Sequence, residues 1–248
     1  MVNHPLGAAP AGDKLAVSRV RPAYQQVADQ LLELIVSGSL SSGDRLPTEA
    51  KLSTMFGVSR STVREALRVL ASRDLIHTMR GTTGGTFVSR VQFTQVSEYL
   101  ETSLGLLSGS SDVSVTEMLE ARELLEVPSA RLAAVRRDDT HIAAMREAID
   151  REVDGCGRGE KFREHRTFHA IVVDAAGNGL LGVMTDPVFR VLQSQFLAPG
   201  ITPEYWAEVD HDHEEILSCI EAGDAEGAAA SMKSHLVRLR EAYRDPAA

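Results

Sequence analysis

RLPTEAKLSTMFGVSRSTVREALRVLA, residues 45–71, predicts two short helices joined by a tight turn. Thr48 and Ser59 precede the two helices, where a side-chain oxygen can accept a hydrogen bond from the first turn, and Gly57 supplies the break between them. Apolar residues recur in the second helix at the spacing of one buried face, while cations and hydroxyl groups occupy the opposite face, namely Arg60, Ser61, Arg64 and Arg68. This pattern favours a helix-turn-helix whose second helix enters the DNA major groove, with a surface helical hairpin as the alternative.

The flanking residues extend the helix pair into a winged helix. An amphipathic helix is predicted at about 22–37, and two short β-type segments, 75–79 and 86–89, follow the helix pair. The turn between these segments, residues 80–85, would form the tip of the wing, where glycines let the backbone approach phosphate groups closely. The residues predicted to contact DNA are Arg45, Thr48, Lys51, Ser59, Arg60, Ser61, Thr62, Arg64, Arg80, Gly84 and Gly85.

Charge is divided unevenly along the chain, although the net charge is −9. Residues 14–90 contain 11 Lys or Arg against 6 Asp or Glu, whereas residues 91–248 contain 15 against 28. A basic front part and an acidic rear part indicate a DNA-binding module joined to a domain with another role. We therefore divide the chain into a flexible tail, 1–18, a winged helix-turn-helix domain, 19–90, and a second domain, 91–248.

The second domain is predicted to be all α-helical, because periodic apolar segments fill it and turn residues separate them. Seven helices are predicted, near 94–108, 114–135, 139–156, 159–175, 179–197, 203–222 and 224–244. The predicted fold class is therefore mainly α, with an N-terminal winged helix-turn-helix, a small β-hairpin wing and a C-terminal seven-helix bundle. A palindromic operator needs two recognition helices about 34–36 Å apart, so the bundle is the expected site of homodimerisation.

Four histidines of the second domain have positions that favour a metal site. His165 and His169 are four residues apart on one predicted helix and share a face, while His213 and His235 lie on the last two helices. Four imidazoles from three helices could hold one divalent cation with room for an exchangeable ligand. A pair on the surface, or a satisfied pair in the core, is the alternative for His165 and His169.

Composition is typical of a globular protein of a reducing compartment. Hydrophobic residues make up 43% of the chain and charged residues 25%, and the two cysteines, Cys156 and Cys219, are far apart. The sequence contains no apolar run long enough to cross a membrane and no signal-peptide pattern, so a cytoplasmic location is expected. The common nucleophile, phosphate-loop and zinc-protease motifs are absent, which argues against an enzyme.

Two parts of the sequence resemble the GntR family of bacterial transcription regulators, in its FadR-type subgroup. The first is residues 45–76 together with GGTFV at 84–88. The second resembles the family's helical effector-binding domain, called FCD, in EARELLE (120–126), FHAIVVDAAGN (168–178), HEEIL (213–217) and AGDAEGAAASMKSHL (222–236). Ala50 stands where family members often carry an arginine, and this departure affects one base contact.

The resemblance also implies a ligand set for the metal. In metal-containing members the ligands are one Asp and three His, and the matching positions here are His165, at the Asp position, and His169, His213 and His235. A set of four imidazoles lacks the formal negative charge of the Asp and is softer. It therefore suits zinc or nickel better than manganese.

The effector implied by the resemblance is a small organic acid. Arg122, from EARELLE, is the residue expected to meet its carboxylate, because a guanidinium can engage a carboxylate with two hydrogen bonds. An intrahelical pair with Glu126 is the alternative for Arg122. Asn178 is a second candidate, with helix capping as its alternative.

The sequence therefore predicts a homodimeric repressor that binds an operator in double-stranded DNA and responds to a small organic acid. One alternative is a metal-dependent enzyme acting on a small organic acid, in which the cation activates water. Another is an architectural DNA-binding protein without sequence preference or effector.

Overall fold

The computed structural model describes residues 20–81, 84–155, 158–195 and 202–244. The predicted tail at 1–18 and the tip residues Thr82 and Thr83 of the predicted wing lie outside these ranges. Within them the chain forms ten α-helices and two β-strands: α1 (Ala23–Val36), α2 (Glu49–Phe56), α3 (Arg60–Ala71), β1 (Ile76–Met79), β2 (Gly85–Val88), α4 (Phe93–Gly109), α5 (Val115–Arg136), α6 (Asp139–Asp154), α7 (Arg158–Ala175), α8 (Gly179–Gln195), α9 (Pro203–Ala222) and α10 (Ala225–Arg244). The chain divides into two compact units, Met1–Val91 and Gln92–Ala248.

The N-terminal unit contains the predicted helix-turn-helix. Thr48 caps α2 by accepting a hydrogen bond from the backbone N–H of Lys51 at 3.3 Å, and Ser59 caps α3 by accepting one from Thr62 at 3.1 Å. Gly57 ends α2 in the left-handed region, with a φ of 65°, which favours glycine. The core of this unit consists of Val27, Ala28, Leu31, Leu46, Leu52, Val63, Ala66, Leu67, Leu70, Ile76 and Val88.

Strands β1 and β2 form an antiparallel hairpin, as the sequence predicts. Ile76 pairs with Val88 at one end and Met79 pairs with Gly85 at the other. The Ile76–Val88 end is buried in the core, so it anchors the hairpin. The Met79–Gly85 pair lies at the end nearest to the predicted tip of the wing.

The C-terminal unit is built around α5. This helix begins with a capping box in which Ser114 and Glu117 exchange hydrogen bonds, and it packs against α7, α8, α9 and α10. Helices α7 and α9 also pack against α6. One face of α7, α9 and α10 is thereby directed into the interior of the unit. Among the described residues, no helix has both the length and the apolarity that a membrane span requires.

Candidate DNA interface and candidate metal centre

The polar face of α3 is exposed, while its apolar face is buried. Val63 and Ala66 are 0% exposed, because this side of the helix packs on the core of the unit. The exposed side carries Arg60, Ser61, Arg64 and Arg68. At the start of the helix the Ser59 hydroxyl lies 2.7 Å from that of Ser61 and 2.8 Å from that of Thr62. A recognition helix needs this combination of a fixed inner face and a polar outer face.

Arg64 is held by a carboxylate that the sequence analysis did not identify. Its Nε lies 3.1 Å from Glu49 Oε1 and one terminal nitrogen lies 2.7 Å from Glu49 Oε2, so the pair is bidentate. The hydrogen bonds from Arg64 lower the pKa of Glu49. Because Glu49 is on α2 and Arg64 is on α3, the pair links the two helices and orients the guanidinium.

Arg45 packs onto the wing. Its guanidinium donates to the carbonyl oxygen of Gly84 and lies 6.0 Å from the centre of the Phe87 ring. A Cβ atom added at Gly85 would lie 2.6 Å from Arg45 Nε, and one at Gly84 would lie 2.6 Å from the carbonyl oxygen of Met79. The two glycines therefore have a packing role, in addition to the approach to phosphates predicted for them. Arg80 and Lys51, also predicted to contact DNA, are exposed.

Substitution of the wing glycines is expected to lower stability to different degrees. Gly84→Ala should lower the free energy of unfolding by about 1–3 kcal/mol, because the added Cβ meets backbone atoms that cannot move away easily. Gly85→Ala should lower the free energy of unfolding by less, since the added Cβ meets the flexible side chain of Arg45, which can move away. Gly182→Ala is the control, because a Cβ there meets nothing within 4 Å and alanine favours a helix. Urea unfolding measures the stability of the three variants. Equal stability of Gly84→Ala and Gly182→Ala would contradict the packing role of Gly84.

The four histidines predicted to bind a metal converge in the C-terminal unit. His165 and His169 come from α7, His213 from α9 and His235 from α10. One nitrogen of each ring lies within 4.8 Å of the corresponding nitrogens of the other three. All four side chains are at least 95% buried, so His165 and His169 do not form a surface pair.

A carboxylate lies beside Nδ1 of each imidazole. His169 Nδ1 is 2.5 Å from Glu126, and His235 Nδ1 is 3.2 Å from Asp212. The Nδ1 atoms of His213 and His165 lie 2.7 and 3.3 Å from one carboxylate, that of Glu152. For His213 and His235 this contact is a hydrogen bond, which favours the tautomer with a proton at Nδ1 and leaves Nε2 as the atom that can bind an ion.

The protonation of the cluster also fits metal binding. Burial lowers the pKa of His165 to about 4 and that of His235 to about 3, and it lowers the pKa of His169 well below its ordinary value. Burial alone would raise the pKa of Glu152, but the contacts with His213 and His165 outweigh it and hold that pKa low. His165, His169 and His235 are therefore neutral at pH 7, which is the form that binds metals.

A buried nitrogen without a hydrogen-bond partner also supports metal binding by the cluster. His213 Nε2 is buried and finds no hydrogen-bond partner among the described residues. The Nε2 atoms of His169 and His235 lie only 3.2 Å apart. Leaving a buried polar atom without a partner is costly, and a cation bound between these nitrogens would satisfy it. The cluster can therefore hold a metal ion.

Arg122 and Asn178, predicted to bind an effector, lie in different places. Arg122 is 2% exposed, its Nε lies 2.6 Å from Glu126 Oε1, and its guanidinium carbon lies 3.7 Å from the centre of the Phe189 ring. The pair with Glu126 is therefore present, and Glu126 connects Arg122 to His169. Asn178 is exposed, accepts a hydrogen bond from Leu180 N–H at the start of α8, and lines a separate groove of about 320 Å³.

The sequence predicts the four imidazoles of the cluster but not the carboxylates beside them. Asp212 is adjacent to His213 in sequence and Glu126 is four residues after Arg122, so both have a local signal. Glu152 has none, because it reaches the cluster from α6 through tertiary packing.

Comparison with known proteins gives the following matches. Residues 23–88 match the model described as "Bacterial regulatory proteins, gntR family", and residues 117–238 match the FCD domain. The HTH-type transcriptional regulator LutR of Bacillus subtilis (strain 168) is 31% identical over 220 residues, which are 84% of this chain and 95% of LutR. The Uxu operon transcriptional regulator of Escherichia coli (strain K12) is 28% identical over 92% of this chain and 89% of its own length. Streptococcus agalactiae GntR has a similar fold, with a TM-score of 0.55 and 24% identity over 88% of this chain and 99% of that one.

Proposed function

Because the chain belongs to the gntR family of DNA-binding transcription regulators and carries an FCD domain, we propose that a small carboxylate controls its operator binding. The family consists of regulators and not of enzymes, so the alternative of a metal-dependent enzyme is not retained. The observation that carries the proposal is the buried four-histidine cluster, to which Glu126 connects Arg122.

Residues 19–90 would bind the operator. Helix α3 would enter the major groove, with Arg60, Ser61 and Arg64 contacting bases or phosphates. The wing would contact the DNA backbone through Arg80, Gly84 and Gly85. Arg45 would support the wing through its contact with Gly84.

Residues 91–248 would bind the effector and form the homodimer. A dimer is needed because a palindromic operator presents two half-sites. Support comes from the apolar side chains that α4 exposes, since contiguous exposed apolar surface is typical of interfaces. These are Phe93, Val96, Tyr99, Leu106 and Leu107, with exposed fractions between 37% and 73%.

His165, His169, His213 and His235 would hold one divalent cation, zinc or nickel, since imidazole ligands suit both. When bound, the cation would supply an electrophilic position for an oxygen of the effector. Arg122 would meet the effector's carboxylate with a guanidinium that Glu126 and Phe189 hold in a fixed orientation. Asn178 is left out of this proposed pocket, because its side chain caps α8 and lines the separate groove.

Addition of a small 2-hydroxy carboxylate to the metal-loaded protein is expected to raise its Tm by about 5–10 °C at 100 times Kd. The reason is that a ligand bound only by the folded state stabilises that state. Thermal unfolding measures the shift, and metal-free protein is the control, for which little shift is expected.

The same acids are expected to weaken operator binding, because we propose that the effector-free protein is the repressing form. Such a response requires the effector to bind one arrangement of the two DNA-binding units better than another. Gel-shift titration with and without acid measures it. If no acid changes Tm or operator affinity, and all DNA sequences bind equally, the protein is an architectural DNA-binding protein.

A further inference from the structure

Glu152 contacts two of the four imidazoles. Its Oε2 lies 2.7 Å from His213 Nδ1, and its Oε1 lies 3.3 Å from His165 Nδ1. Each of the other two carboxylates of the cluster contacts a single imidazole. Glu152 is therefore the carboxylate that joins α9 and α7 at the cluster.

The other two carboxylates are neutralised by arginines. Glu126 Oε1 lies 2.6 Å from Arg122 Nε, within one helix. Asp212 receives Nε and a terminal nitrogen of Arg238, both at 3.1 Å. Neither ion pair therefore adds net charge to the cluster.

Glu152 has no such cation. Its side chain is 0% exposed, and within the described parts of the chain its carboxylate contacts His165 and His213 but no Lys or Arg. Lys161 contacts the backbone carbonyl oxygen of Glu152, at 2.8 Å, and its ion pair is with Asp210, at 3.7 Å. Since imidazoles that bind a metal are uncharged, the described residues of the cluster and their ion pairs carry a single negative charge, that of Glu152. A buried carboxylate without a cation is costly.

Building on the proposed function, we propose that the charge of Glu152 determines which effectors the site selects. The site would accept a monocarboxylate in preference to a dicarboxylate. A divalent cation held by four neutral histidines beside the Glu152 carboxylate gives the site a charge of +1. One carboxylate, held by Arg122, neutralises that charge, whereas a second carboxylate would give a net negative charge to a site built from buried side chains. Glu152 is also a positioning residue, because its contacts orient His165 and His213.

A comparison of 2-hydroxybutyrate with malate tests this inference in the wild-type protein. The two acids have four carbons and a 2-hydroxy carboxylate in common, and malate carries one further carboxylate. Calorimetric titration of the full-length nickel-loaded protein is expected to show 2-hydroxybutyrate binding at least about tenfold more tightly. Equal or tighter binding of malate overturns the inference and leaves the proposed function standing. Binding of neither acid counts against the proposed function itself.

Substitution of Glu152 tests whether this residue is responsible for the preference for a monocarboxylate. In Glu152→Gln the loaded site has a charge of +2, so the preference is expected to shift towards malate by about tenfold or more, and metal affinity is expected to fall by about 10–100-fold. Glu152→Asp keeps the charge and should keep the preference for the monocarboxylate. An unchanged ratio of the two affinities in metal-saturated Glu152→Gln overturns the assignment to Glu152. If that variant does not fold, a loss of the preference in Glu152→Asp overturns it.

Glu164→Gln is the matched control for the loss of a buried carboxylate. Glu164 is also buried, on α7, but it is paired with Arg151 and Arg163, both at 2.9 Å. Its replacement is expected to leave the ratio of the two acid affinities unchanged. A shift of that ratio equal to the one in Glu152→Gln would show that general electrostatics, and not the position of Glu152, determines the preference.

Discussion

Replacing Arg64 with alanine is expected to lower operator affinity by about 100-fold or more. A cation on the recognition helix that reaches a base contributes ~1–3 kcal/mol to the free energy of DNA binding. The homodimer that we propose would use two copies of Arg64. Glu49 already orients the guanidinium in the free protein, so little ordering remains for the DNA to impose. Gel-shift titration with the operator at fixed salt measures the loss.

Arg146→Ala is the matched control for this substitution. Arg146 is as exposed as Arg64, with 57% of each side chain accessible, and it also pairs with a carboxylate, that of Glu221 at 2.9 Å. It lies in the C-terminal unit, so its replacement should leave operator affinity unchanged. Wild-type affinity of the Arg64→Ala variant would show that α3 does not read the operator. A change in salt dependence, without a change in sequence preference, would assign Arg64 to a phosphate contact.

Replacing His213 with alanine is expected to lower the affinity for zinc or nickel by more than about 100-fold. Loss of a residue that only orients a metal-binding side chain lowers metal affinity by about 10–100-fold. Loss of a metal-binding side chain itself should lower it further. The effect of carboxylates on Tm should disappear with the metal. Metal analysis after dialysis, on protein without a polyhistidine tag, measures the stoichiometry, which we expect to be one ion per wild-type chain.

His211→Ala is the control for the metal experiment. His211 lies two residues before His213 on the same helix, but its side chain is exposed. The variant is expected to hold as much metal as the wild type. Circular dichroism of both variants shows whether the helices are retained. One bound ion in a folded His213→Ala variant would contradict the proposed metal centre.

Much of the fold could be predicted because its signals are local. The capping box of Ser114 and Glu117 defines where α5 begins, and the helix predicted at 203–222 has the bounds of α9. The helix predicted at 139–156 runs past the end of α6, which stops at Asp154 before Gly155. Caps and helical periodicity depend on neighbouring residues, so they can be identified without tertiary structure.

Contacts between distant segments were harder to predict. The shared face of His165 and His169 follows from their spacing, but the presence of Glu152 beside His165 depends on how α6 packs against α7. The sequence predicts Arg45 as a DNA contact, but it does not predict the contact between Arg45 and the wing. Its position against Gly84 depends on the hairpin, 39 residues further along the chain.

The distribution of the four histidines over three helices affects how the protein would be made. His169 and His235 are 66 residues apart in sequence, yet their Nε2 atoms lie 3.2 Å apart. During translation α7 leaves the ribosome before α10 has been synthesised, so the growing chain presents only part of the ligand set. An ion held by all four histidines would therefore enter a polypeptide in which α10 is complete. The supply of free metal in the cell would then determine what fraction of new chains becomes able to bind the proposed effector.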